Sequence, residues 1–263
     1  MKTKRHVLKA ACLTACLALP TVHVSAQESS AKGGSMMADV HPMAKDAMDM
    51  KKAKEMASPA MMQKAKEQMM AGEMMPKAMA MESAMTMAMK DDKNMKMVQE
   101  HAMAPMPDGK QMISDEQIKA AIRKVFNDPL QFQTMLQTLI VRETAANMMM
   151  ASAEKPASGM MMIPETDMKA AKKGMMGDEA MTMKVAKEMM MNAMMMDKDI
   201  RMAVKGAAMK PSDPALDKMM KSESMMMAKE KMMKEPAMKM EMATEAMARE
   251  MAKPTAMMSD KKK

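Results

Sequence analysis

The residue with chemistry to offer in this chain is methionine, and much of it comes in consecutive runs: Met148-Met149-Met150, Met160-Met161-Met162, Met189-Met190-Met191, Met194-Met195-Met196 and Met225-Met226-Met227. A thioether supports two kinds of reaction. It takes up one oxygen in a two-electron step to become a sulfoxide, which methionine sulfoxide reductases reverse. It is also a soft ligand, suited to Cu(I) and by extension Ag(I). Successive residues of a helix point about 100° apart, so each triplet spreads its sulfurs around the circumference instead of along one stripe. The expectation is that much of this sulfur faces water and that the triplets are oxidisable clusters, not core.

The metal alternative has its own candidates. Met85-Thr86-Met87-Ala88-Met89 resembles the spaced-methionine motifs of periplasmic copper-handling proteins, and His41-Pro42-Met43 and His101-Ala102-Met103 resemble the His/Met pairs of silver and copper binders. The ligands of a Cu(I) or Ag(I) buffer would be His41, Met43, Met85, Met87, Met89, His101 and Met103. Spacing alone is weak support, because at roughly one methionine in four a Met-x-x-Met pattern arises by chance on the order of a dozen times. An oxidant sink needs no cofactor.

What is missing bears on the same choice. The chain has no Trp, no Tyr and two Phe, and its two cysteines are Cys12 and Cys16. Oxidation carries Cys to irreversible acids, whereas methionine sulfoxide is repairable. Lysine is abundant, and Lys64, Lys66, Lys184 and Lys187 stand within a helical turn or so of Met61, Met62, Met69, Met183 and Met190. Lysine and glutamate keep such a chain in solution. Hypochlorite also chlorinates amines, so these lysines could pass oxidising equivalents to neighbouring thioethers.

The elements that must carry these residues begin with a leader. Lys2, Lys4, Arg5 and Lys9 precede an apolar stretch from Ala10 to Leu19, then Pro20 and Val24-Ser25-Ala26. This is the layout of a secretory signal peptide cut after Ala26. Leu13-Thr14-Ala15-Cys16 resembles a lipobox, but apolar sequence continues past it to the better site. The stretch is too short to span a bilayer. Removing residues 1–26 takes both cysteines, leaves 56 methionines in 237 residues and, with four basic and no acidic side chains gone, lowers the net charge from +8 to +4. Such a near-balanced chain is not a cationic nucleic-acid binder.

Residues 27–107 and 148–263 read as low-complexity arms of Met, Lys, Ala and Glu, helix-prone but broken by proline. Between them, residues 108–147 look like ordinary protein. Ser114-Asp115-Glu116-Gln117 is a capping box, with Ile113 and Ile118 placed as a hydrophobic staple. Ile118, Ala121, Ile122, Val125 and Phe126 form one helical face. Asn127-Asp128-Pro129 stops that helix and starts another, with Phe132, Met135, Leu136, Leu139 and Ile140 repeating the spacing. The expected fold is all-α and largely disordered: helix-prone arms around one amphipathic hairpin from Ser114 to about Ala146, with no large hydrophobic core. Some 33 residues are too few to be stable alone, so the hairpin should pair with itself, another chain or an arm.

With its leader, its thiol-free remainder and its Met/Lys/Ala/Glu texture, the chain resembles the methionine-rich periplasmic proteins of the bacterial reactive-chlorine response. The resemblance is compositional. It implies hypochlorite scavenging, a periplasmic location, oxidant-induced expression and recycling by a periplasmic molybdenum-dependent methionine sulfoxide reductase with a haem membrane partner. No nucleophile with its base and no Gly-rich phosphate loop is present, so an enzyme is not expected.

Overall fold

A computed structural model describes residues 42–71, 74–103, 113–151, 163–174 and 179–253. The chain divides into two units, residues 1–34 and 35–263, and every described residue belongs to the second. The expected signal peptide and its cleavage site lie outside the described residues.

Every regular element described is an α-helix, and there are thirteen: α1 (Pro42–Ala47), α2 (Met50–Met56), α3 (Pro59–Met70), α4 (Met74–Lys90), α5 (Asp92–Met103), α6 (Asp115–Asn127), α7 (Pro129–Ala151), α8 (Glu165–Gly174), α9 (Glu179–Met196), α10 (Lys198–Ala207), α11 (Pro214–Met220), α12 (Glu223–Lys234) and α13 (Pro236–Met251). The prolines that break up the arms are where helices begin. Pro59, Pro214 and Pro236 stand in the first turn of their helices, where the missing N–H costs nothing and the fixed φ suits the helix. Aspartate and serine caps do the rest. Asp49, Asp197, Asp213 and Ser222 each accept a backbone N–H from the first turn, which satisfies donors that the helix leaves orphaned.

The hairpin is present as expected. Ser114 and Gln117 form the reciprocal capping box at the start of α6. The carboxylate of Asp128 accepts from the N–H groups of Leu130 and Gln131 at the start of α7. Phe126 and Phe132 meet edge to face across the turn, with centroids 5.9 Å apart. The second helix runs five residues beyond the expected end at Ala146, to Ala151.

The expectation of disordered arms without a large core is corrected. The hairpin is one part of a packed assembly: α6 lies on α9 and α1, while α7 lies on α4, α3 and α10. Buried residues from both arms and from the hairpin join in one continuous cluster. Methionine supplies more of the bulk than any other residue type, with Met62, Met75, Met79, Met85, Met135, Met168 and Met190 among the largest fully enclosed side chains. The physical reason is that an unbranched, polarisable thioether adapts to irregular gaps, while alanines such as Ala53, Ala84, Ala243 and Ala246 let helices approach closely. Methionine loses more rotamer freedom on burial than leucine or isoleucine does, and here many small contributions offset that loss.

Among the described residues no helix is long and apolar enough to cross a membrane. Leu136→Ala, in the enclosed part of α7, is expected to cost about 2–5 kcal/mol of unfolding free energy. Leu130→Ala, at an exposed position of the same helix, should stay within about 0.5 kcal/mol. Denaturant unfolding followed by far-UV circular dichroism measures both.

Candidate functional site

Helix by helix, burial sorts the thioethers. On α12 the triplet fans out as its spacing requires: Met225 is fully buried, while Met226 and Met227 are 59% and 52% exposed. The end of α9 behaves alike, from enclosed Met194 to exposed Met196, and so does the end of α7, where Met148 and Met149 are half-buried and Met150 is exposed. Met189, Met190 and Met191 do not follow. All three are buried, because α9 packs against α6, α13, α10 and α1, and a helix with many neighbours can be apolar on several faces. Met160, Met161 and Met162 lie outside the described residues. Burial extends to many further methionines, including Met238, Met242 and Met247 on α13. Among the described residues the exposed ones are Met61, Met70, Met74, Met150, Met196, Met202, Met226 and Met227, carried by six different helices.

The described metal candidates stand on three helices, Met85, Met87 and Met89 on α4, His101 on α5 and Met43 on α1. Met85 and Met89 stand one turn apart on α4, the first enclosed and the second half-buried, and Met87 projects from another side of the same helix. His101 is half-buried on α5 and Met43 half-buried on α1. His41 and the side chain of Met103 lie outside the description. Among the described residues no three His, Cys, Asp or Glu side chains converge as a metal-binding group.

The structure also assembles a group that residue spacing did not signal. Arg142 of α7 donates a forked pair of hydrogen bonds to Glu188 of α9, at 2.8 and 2.6 Å, and a third to Glu245 of α13 at 2.9 Å. Its Nη1 also lies 3.9 Å from the sulfur of Met191, and its Nε faces Glu82 of α4 at 3.7 Å. Arg249 of α13 makes the matching fork to Glu82, at 2.9 and 2.6 Å, and reaches Glu245 at 3.3 Å. Lys184 of α9 stands 3.6 Å from Glu245. Three cations face three carboxylates, largely out of water. The one available signal was scarcity: Arg123, Arg142, Arg201 and Arg249 are the only arginines after Arg5 in a lysine-rich chain, and arginine is the residue whose planar fork suits enclosed carboxylates.

Electrostatics divide this cluster. Burial pushes the Glu188 carboxyl above its ordinary range, against the pull of Arg142. Glu245 is also desolvated, but Arg249, Arg142 and Lys184 together hold it below that range. Arg249 loses some basicity to desolvation and regains more from its bonds to Glu82, so it stays charged. Lys187, half-buried on α9, has its amine held below the ordinary range by burial and then by Lys184. Beside the cluster lies a cavity of about 190 Å³, lined by Met69, Met74, Ala78, Met81, Val141, Glu82 and Arg249 among others.

Fold and site together define an all-helical, methionine-cored unit with a balanced ion cluster at the meeting of α4, α7, α9 and α13. No protein-family model, curated protein or solved structure matches the chain.

Arg142→Met leaves Glu188 enclosed without its counter-ion, and the expected loss is about 3–5 kcal/mol. Adding Glu188→Met should restore most of it, since Arg249, Lys184, Glu82 and Glu245 then remain balanced. Chemical denaturation of the two variants checks this. The pH dependence has two signs. Glu188, raised in the fold, favours folding below its ordinary 4.5 and loses that effect as pH rises through its folded value. Glu245, depressed in the fold, favours folding above 4.5 and loses that effect as pH falls through its folded value. The melting temperature should therefore rise slightly from neutral pH toward 4.5 and fall below it. Glu188→Gln should remove the rise and keep the fall, as thermal scans across pH would show.

Proposed function

We propose that the chain is an exported, sacrificial scavenger of two-electron oxidants, hypochlorite above all. It holds oxygen as methionine sulfoxide and is recycled by a methionine sulfoxide reductase in the periplasm. The observation that supports this reading is the display of exposed thioethers from six helices, at Met61, Met70, Met74, Met150, Met196, Met202, Met226 and Met227. They are spread over six helices, which suits a distributed reagent. In each event the sulfur gives an electron pair and gains an oxygen, and hypochlorous acid leaves as chloride and a proton.

Position decides what a sulfoxide costs the fold. At Met226 or Met202 the new S=O dipole stays in water. At Met190 or Met247 it would be enclosed, and an unsatisfied buried acceptor costs about 1–3 kcal/mol. Total stability is only about 5–15 kcal/mol, so a few such events would exhaust it. The working capacity of the folded protein is chiefly its surface thioethers, and tightly packed ones such as Met190 and Met247 are structural while the fold holds.

The test treats the purified chain lacking residues 1–26 with stoichiometric hypochlorite and, separately, with Cu(I) or Ag(I) against a competing chelator, both read by intact mass. Many added oxygens that a sulfoxide reductase removes, with loose metal uptake, is the expected result. Tight, saturable metal uptake with sluggish oxidation would overturn it.

A further inference from the structure

The exposed thioethers need no special access. Met69 is different. It sits in α3 with only 4% of its surface exposed, yet its side chain lines the cavity of about 190 Å³ between α3, α4, α7 and α13. Met74, 68% exposed, lines the same cavity and marks its opening to solvent. Half-buried Met81, two helical turns further along α4, lines it too. A cavity of about 150 Å³ already admits benzene. Hydrogen peroxide and hypochlorous acid, with two heavy atoms each, are far smaller. The exposed wall area is mainly apolar, though Thr134, Gln137, Thr138, Glu241, Glu245 and the Glu82–Arg249 ion pair also line it. An uncharged small oxidant would therefore enter more readily than a charged one, which would have to be desolvated.

From this we infer that the cavity is an oxidant-admitting pocket in which enclosed Met69 and half-buried Met81 are oxidised by small neutral two-electron oxidants ahead of equally enclosed methionines elsewhere. The inference rests on the scavenger reading and extends it from the surface to one defined interior site. With peroxide, the sulfur lone pair attacks one oxygen, the O–O bond breaks and the S–O bond forms. The second oxygen leaves as water after proton transfer, and sulfur is oxidised by two electrons. The cavity has room for the added oxygen, so this sulfoxide forms without displacing packed neighbours. Met190 and Met247 are fully enclosed and do not line this cavity.

The chain contains its own controls. Met189 and Met238 are 6% and 9% exposed, more than Met69, but neither lines the cavity. Residual exposure alone ranks Met69 behind both, whereas the pocket ranks it ahead. The experiment exposes the full chain to hydrogen peroxide at a concentration that leaves its helical circular dichroism intact, and follows sulfoxide at each methionine by peptide mapping. Met74 should react first, then Met81 and Met69, with Met69 several-fold faster than Met189 and Met238. If Met69 is no faster than either one, the pocket reading is overturned.

A second arm fills the cavity with Ala78→Leu. This variant should slow Met69 several-fold relative to Met226, which lies on α12 away from the cavity lining. An unchanged Met69 rate in the folded variant would also overturn the inference, and if the variant does not fold, the ordering in the unaltered chain decides alone. The two readings fail separately. Slow hypochlorite uptake or unrepaired sulfoxide would sink the scavenger with the peroxide ordering intact, and an ordering by exposure alone would sink the pocket with the scavenger intact.

Discussion

Arg142 and Arg249, each forked onto a glutamate and both in contact with Glu245, are the interaction on which the packed structure most depends. A core of methionine and alanine satisfies the hydrophobic effect without selecting one arrangement, because a flexible thioether packs almost as well in one register as in the next. Forked guanidinium–carboxylate bonds do not have that tolerance. They join α7 to α9 and α13 to α4 at set heights, and a shift of one turn would leave charges enclosed and unpaired. Burying these ions does not add stability cheaply. It penalises the alternatives, which a core with few rigid shapes otherwise leaves nearly equal in energy.

That arrangement places the same residue type under two opposite requirements. Met225 and Met226 are neighbours in sequence, one enclosed and the other exposed. The first holds α12 against its neighbours and would damage that contact as a sulfoxide. The second loses nothing by oxidation. A scavenger built this way is not a uniform reservoir, because its capacity is graded by burial. The fold that ranks the sulfurs is also the part that deep oxidation would destroy.

The aliphatic and aromatic residues are not spread evenly. Ile122, Val125, Phe126, Phe132, Leu136, Leu139 and Ile140 line α6 and α7, and Ile200 and Val204 bring α10 to the same region. Among these buried positions Met135 is the exception. α4 and α13, by contrast, bury chiefly methionine and alanine. The rigid, oxidation-resistant side chains thus form a hub, and the oxidisable helices pack around it. The hairpin that could not stand alone is stabilised by the arms, and the arms gain from it shapes that methionine does not supply.

Local chemistry made much of this legible in the residues themselves. The helix starts at Ser114 and Pro129, with their caps, follow from interactions within a few positions along the chain, whereas Pro59 and Pro236, read as breaks, turned out to open helices. The abundance of repairable sulfur, and the absence of Trp and Tyr, were equally plain. The burial of Met189, Met190 and Met191 was not, because whether a triplet faces water depends on how many helices surround it, and periodicity along one helix does not contain that. Nor was the joining of Glu82, Arg142, Glu188 and Arg249 visible, since those residues are 46 to 167 positions from their partners and only packing brings them together. The sequence by itself determined which atoms can react. The tertiary structure decided which of them water and oxidant can reach, because access is a property of the space between helices.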